Sequence, residues 1–118
     1  MQKLLNWFDE EISNSQKKQK TLTDDQRKDE AIFEKIQENV YDIFRTVLKA
    51  ALRQHGQDEA AVRRFFEARL QQLPTAWEQS LLSAQQHNDM QREHIEKIKL
   101  SALNRIRLAY SAHTEEKA

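Results

Sequence analysis

The chain has 118 residues, with 19 basic and 19 acidic side chains, no cysteine, one glycine and one proline. This length fits one domain, and the lack of cysteine excludes disulfides and thiolate chemistry. Because strand turns and phosphate-binding loops need residues that tolerate positive φ, the single glycine argues against β-rich and Rossmann-like folds. The balanced charge argues against a general nucleic-acid-binding protein, in which a basic excess is expected.

The remaining composition favours an all-α protein, since Ala, Leu, Gln, Glu, Lys and Arg are good helix formers. The opening residues MQKLLNWFDEEIS lack the apolar core of a signal peptide and soon turn acidic. No apolar run approaches the about 20 residues that a membrane-spanning helix needs. We therefore expect a cytoplasmic protein without membrane association.

A first helix is predicted over residues 2–20. Its apolar positions recur at helical spacing, as expected for one buried face: Leu4, Leu5, Phe8 and Ile12. Beyond Ile12 the sequence is polar on all sides, so we expect the last turns to fray. Trp7 and its neighbours would suit a membrane interface, but the acidic residues 9–11 would be repelled by anionic lipid. Docking on the protein's own core is therefore favoured.

A long second helix is predicted over residues 24–55. Thr23 as N-cap and Gln26 three residues later have the spacing of a capping box. Gly56 is expected to follow the helix as the C′ residue, in the left-handed conformation. The apolar face of this helix is broad, which suits a bundle core: Ile32, Phe33, Ile36, Val40, Ile43, Phe44, Val47 and Leu48.

A third helix is predicted to begin after Asp58, a good N-cap residue, and to end near Leu73. Pro74 disfavours the helical conformation in the residue before it, so a break is expected there. The expected buried face comprises Val62, Phe65, Phe66, Leu70 and Leu73.

The fourth helix is predicted over residues 76–111, with Thr75 as N-cap and Glu78 completing a capping box. Within it, the stretch 83–94 (SAQQHNDMQREH) contains few apolar residues. From Ala84 to Ile95 is eleven residues, three helical turns, so the apolar stripe keeps its phase across the stretch. This predicts an uninterrupted helix with a polar middle, and the alternative is a break at His-Asn-Asp, residues 87–89. Residues 113–118 are expected to form a frayed tail.

These elements predict a single domain over residues 1–118, an all-α bundle of four helices dominated by the two long ones, 24–55 and 76–111. The acidic first half of the second helix and the basic stretch 97–107 would face each other if these helices were antiparallel. A plain up-down-up-down bundle, with the two helices parallel, is the alternative, and pairing across a dimer would satisfy the charges equally well.

No residue pattern indicates a catalytic site, a cofactor site or a metal site, and we expect none of these. His87 and His94 are seven residues apart, about 10 Å along a helix, so one ion cannot join them. No carboxylate is expected on an apolar stripe, and nearly all have a base three or four residues away. The protein is therefore expected not to be an enzyme.

A fourth helix of this length would extend beyond its neighbours and expose part of its stripe, which predicts a homodimer or another protein partner. The candidate interface comprises Asn88, Gln91, Ile95, Ile98 and Ile106. The predicted function is a non-enzymatic helical protein that acts through protein–protein contacts. The alternative, a nucleic-acid-associated regulator, would use a basic patch of Lys97, Lys99, Arg105 and Arg107.

Overall fold

The computed structural model describes residues 1–114, and these form four helices joined by short turns. The helices are α1 (Gln2–Asp24), α2 (Lys28–His55), α3 (Glu59–Gln86) and α4 (Met90–Thr114). The prediction of an all-α bundle of four helices is confirmed. Within residues 1–114 no helix combines the length and the apolar character that crossing a bilayer requires.

Helices α1 and α2 form an antiparallel hairpin. Near one end, Arg45 Nη1 donates a hydrogen bond to Asp9 Oδ1 at 2.8 Å. Toward the other end, Gln19 Nε2 donates to Glu38 Oε1, also at 2.8 Å. As the residue number rises on α1 it falls on α2, so the two helices run in opposite directions.

Helices α3 and α4 form a second antiparallel hairpin. Tyr110 Oη donates to Glu67 Oε1 at 2.7 Å, and Arg92 Nη2 donates to Ser80 Oγ at 2.8 Å. Each hairpin buries its own apolar stripe only in part. The two hairpins therefore pack together and share one core.

Helices α2 and α4 run parallel, so the expectation of antiparallel long helices is wrong and the up-down-up-down alternative holds. Phe33 meets His94 edge to face, with ring centroids 4.4 Å apart, and the Arg105 guanidinium lies 5.9 Å from the Tyr41 ring. The basic end of α4 therefore does not face the acidic half of α2. Arg105 pairs instead with Glu11 of α1, at 3.4 Å.

The core lies between α2 and α4, with α1 packed on one side of this pair and α3 on the other. The Phe8 and Phe66 rings meet across it edge to face, with centroids 6.4 Å apart. Burial of large side chains is the main source of stability in a bundle of this size. The largest fully buried side chains are Leu4, Phe8, Tyr41, Phe44, Leu48, Phe66, Leu103 and Ile106.

The turn between α1 and α2 lies further along the sequence than the capping-box spacing at Thr23 predicted. Thr23 belongs to α1, where its hydroxyl donates to the Gln19 carbonyl at 2.8 Å. The chain reverses at Gln26, which has φ of 62°, and α2 begins at Lys28. Thr23 is therefore not the N-cap of α2, because it lies within α1, and Arg27 occupies the N-cap position.

At the second turn, one of the two predicted helix caps is confirmed and the other is wrong. Asp58 is the N-cap of α3, and its carboxylate accepts from the Ala61 amide at 3.1 Å. Gly56 has φ of −53° and ψ of −26°, a right-handed conformation, so the expected left-handed C′ residue is absent. Glycine is required there for space, because an added Cβ would lie 2.5 Å from the Leu52 carbonyl oxygen.

Helix α3 continues through Pro74, where a break was predicted. Proline lacks the amide that would bond the carbonyl four residues earlier, which belongs to Leu70. Arg107 of α4 replaces that donor, with its Nη2 3.1 Å from the Leu70 carbonyl oxygen. Thr75, the predicted N-cap, lies inside the helix and donates to the Gln71 carbonyl at 3.4 Å.

The break occurs instead at residues 87–89, so the prediction of an uninterrupted helix over 76–111 is wrong and its alternative holds. Asn88 is left-handed, with φ of 54°, a conformation that asparagine tolerates better than most residues. Asp89 then caps α4, and its Oδ1 accepts from the Arg92 amide at 3.1 Å. Ala84 and Ile95 lie on two separate antiparallel helices, so the helical spacing between them is a coincidence. Residues 113 and 114 belong to α4, while residues 115–118 of the expected frayed tail lie outside the described residues.

Candidate functional site

The structure separates the five residues of the predicted interface. Ile106 is fully buried in the core of the chain, and Ile95 is half-buried. Asn88 lies exposed in the turn before α4 and not on a helix face. Gln91 and Ile98 line two neighbouring hollows between α2 and α4.

The four basic residues of the predicted nucleic-acid patch do not form one surface. Successive helix residues are rotated by about 100°, so residues 97, 99, 105 and 107 point in four different directions around α4. Each contacts an acceptor within the chain, and the acceptors lie on three helices: Glu93 and Glu96 on α4, Glu11 on α1, and the Leu70 carbonyl on α3. Arg105 and Arg107 tie α4 to α1 and α3, while Lys97 and Lys99 pair within α4.

A groove runs between the first turns of α2 and α4, at the pole that holds the 25–27 and 87–89 turns. It consists of two adjoining hollows of about 250 and 390 Å³. We call it the turn-end groove and define it by Ile32, Phe33, Met90, Gln91, His94 and Ile98. Helix α2 supplies one wall and α4 the other, so the parallel arrangement of these helices creates it.

The turn-end groove exposes large apolar side chains. Met90 is 78% exposed and Ile32 is 56% exposed. Between the two hollows, the Phe33 and His94 rings meet edge to face at an interplanar angle of 85°. Contiguous apolar exposure beside a hollow is typical of a surface that binds another molecule.

The charged side chains that line the turn-end groove are mainly acidic. Asp29, Glu30 and Glu34 lie along its α2 wall. Lys18 of α1 is the one cation among the lining residues, and its ammonium lies 3.6 Å from Glu34. Arg27 pairs with Glu30 from the preceding turn. Asp29 makes no ion pair with any residue of the described chain.

A polar layer joins the second half of α1 to α2, where the sequence predicted fraying. The Ser15 hydroxyl donates to the Glu34 carbonyl at 3.1 Å, and Gln19 donates to the buried Glu38 carboxylate. Sequence reasoning missed this layer, although a signal exists. The stripe of Ile12 continues at helical spacing through Ser15 and Gln19 to Leu22, which is buried.

The carboxylates of Glu38 and Glu96 are buried, which corrects the expectation that no carboxylate lies on a buried face. Burial acts to raise the pKa of Glu38, but hydrogen bonds from Lys35 and Gln19 outweigh it and hold the pKa below its ordinary value. Glu96 is 5% exposed and pairs with Lys99 at 3.2 Å. Neither carboxylate lines the turn-end groove.

Tyr41 and two histidines are further titratable groups with notable surroundings. Burial raises the pKa of Tyr41 to about 12, so its phenol stays neutral even at a pH at which an exposed tyrosine ionises. His87 bonds the Ser83 carbonyl at 2.8 Å, and His94 meets the Phe33 ring edge to face. Across residues 1–114 there is no group of three or more His, Cys, Asp or Glu side chains placed to hold a metal ion.

Comparison of the chain with family models, with curated proteins and with solved structures finds no match. The turn-end groove is the feature of the described chain with the exposure and the shape of a binding surface.

Proposed function

We propose that this protein is a small, non-enzymatic helical protein of the cytoplasm that acts through protein–protein contacts. It binds either a second copy of itself, as a homodimer, or another protein for which it serves as an adaptor. This proposal keeps the function predicted from the sequence but places it on a different surface, because the predicted interface on α4 is divided between the core, the turn and the groove.

One observation carries the proposal: Ile32 and Met90 stand exposed on the two walls of the turn-end groove. Leaving such side chains in water costs free energy, roughly 25 cal/mol for each Å² of apolar surface. A partner that covers them recovers that free energy.

The rival function, binding of nucleic acid, has less support. Phosphate binding needs several cations on one surface, whereas the predicted basic residues point away from each other and contact internal acceptors.

The proposal is tested by comparing the wild-type chain with an Ile32→Ser/Met90→Ser double variant. Leu108→Ser is the matched control, since Leu108 is 72% exposed and lies outside the groove. Light scattering at about 100 μM, a concentration above the Kd of a micromolar dimer, reports whether the mass exceeds the 14.0 kDa of one chain. Quantitative capture from the native host reports other partners.

We expect the double variant to lose the dimer, or to lose a defined set of captured proteins, while the Leu108 control keeps them. A wild-type monomer, with the same captured proteins for the wild type and both variants, would show that the groove is not a binding surface.

A further inference from the structure

We propose that the turn-end groove receives a cationic amphipathic helix from another protein. This inference rests on the proposed function and specifies the partner. It combines the shape of the groove with the sign of the charge along its α2 wall.

The shape fits bulky side chains presented by one helix face. The two hollows adjoin, and both are lined by the Phe33 and His94 rings, which meet edge to face. Side chains three or four residues apart on a helix lie about 5–6 Å apart, so one helix can place successive apolar side chains into adjoining hollows. This is the arrangement of a helix bound in a groove.

The charge of the α2 wall determines which charge the partner helix should carry beside its apolar face. Three carboxylates, those of Asp29, Glu30 and Glu34, line the groove against the single ammonium of Lys18. That ammonium is already close to Glu34, and Arg27 pairs with Glu30, so Asp29 is the groove carboxylate that has no ion pair within the described chain. Lysine or arginine beside the apolar face of the partner would pair with it and would speed association.

The same charge disfavours a second copy of this chain in the groove. A closed dimer forms around a twofold axis, so each partner offers the same surface to the other. The acidic wall of each copy would then lie against groove residues of its partner, among which Lys18 is the one cation, so Asp29 would gain no opposite charge. A partner helix that carries lysine or arginine supplies that charge.

The test uses a synthetic peptide of leucine and lysine, about 18 residues long so that it can form a helix, with leucine at helical spacing on one face. A second peptide carries glutamate in place of every lysine. Methyl resonances of Ile32 and Met90 report occupancy of the groove, and the methyl resonances of Leu108 report binding elsewhere. Titrations at low and high salt give the Kd.

We expect the lysine peptide to shift the Ile32 and Met90 resonances and the glutamate peptide to leave them unchanged. Asp29→Asn/Glu30→Gln should weaken binding about fivefold at low salt, because it removes the unpaired Asp29 carboxylate and leaves the Arg27 guanidinium without Glu30, so that it repels a cationic peptide. High salt should reduce this difference. Glu10→Gln/Glu78→Gln is the matched control, since both carboxylates are exposed and lie outside the groove. It should bind as the wild type does.

Two results would overturn the inference in distinguishable ways. If both peptides bind equally and only Ile32→Ser/Met90→Ser abolishes binding, the proposed function stands and the preference for a cationic helix is wrong. If neither peptide shifts Ile32 or Met90, the groove does not take a helix of this kind. Light scattering and capture then decide the proposed function separately.

Discussion

Arg107 donates a hydrogen bond to the main-chain carbonyl of Leu70, 3.1 Å away, and so replaces the donor that Pro74 lacks. An unpaired carbonyl inside a helix would cost free energy wherever water cannot reach it. The contact crosses from α4 to α3. The continuity of one helix therefore depends on a side chain of the next.

Arg107→Met should lower the free energy of unfolding by about 1–2 kcal/mol, the contribution of a hydrogen bond from a charged donor at a partly exposed site. In a Pro74→Ala background the same change should cost less, because residue 74 then has an amide for the Leu70 carbonyl. Urea denaturation of the four chains measures this coupling. Arg64→Met, an exposed arginine on α3, is the control, and equal costs in both backgrounds would contradict the role of Arg107.

Phe44→Ala should lower the free energy of unfolding by about 3–5 kcal/mol, the range for truncating a buried aromatic side chain. Phe44 is fully buried and meets the Phe66 ring with centroids 6.1 Å apart. Leu108→Ala, at an exposed position, should change stability by less than about 0.5 kcal/mol. Similar values for the two variants in chemical denaturation would show that the core is not where the structure places it.

Glu38 should contribute stability that is lost at low pH. Its folded-state pKa lies below the ordinary value of 4.5, so the contribution is complete well above pH 4.5 and disappears as pH falls through the folded-state pKa. The stability difference between wild type and Glu38→Gln should therefore shrink on acidification. Glu10→Gln, at an exposed position, is the control, and a difference that stays constant with pH would refute this linkage.

Gln26→Gly should raise the free energy of unfolding by up to about 1 kcal/mol, because Gln26 holds φ of 62°, a conformation unfavourable for residues with a Cβ. Asn88→Gly should stabilise less, since asparagine tolerates its φ of 54° better than glutamine does. Thermal and chemical denaturation compare the two. A loss of stability in Gln26→Gly would mean that this turn has another conformation.

Helical periodicity and composition were enough to predict the number of helices and the burial of Phe44, but they missed Tyr41, which is also fully buried on α2. They failed where a contact between helices decides the outcome. Pro74 indicates a break in any isolated segment, and only the folded chain brings Arg107 to the Leu70 carbonyl. Apolar residues on either side of the 83–94 stretch keep helical spacing, and this spacing predicted one continuous helix despite the turn preference of Asn88. Two antiparallel helices can show the same spacing by coincidence.

The turn-end groove could be predicted only in part for the same reason. Gln91 and Ile98 were expected at an interface and do line the turn-end groove. Ile32 and Met90 were not expected there, because the groove depends on parallel α2 and α4, and the charge pattern favoured the opposite arrangement. Nothing in the local sequence of α2 identifies which helix lies beside it.

The pole opposite the turn-end groove holds both ends of the described chain. Met1 lines a hollow there with Gly56 and Val62, and Arg63 bonds the Thr114 carbonyl at 3.0 Å. Helix α1 has 23 residues, so about 35 Å separate Met1 from the first turn. A surface, a fluorophore or a fused domain attached before Met1 would thus be held one helix length from anything bound at the groove. The bundle would then act as a stiff spacer, and immobilisation through this pole would leave the groove accessible.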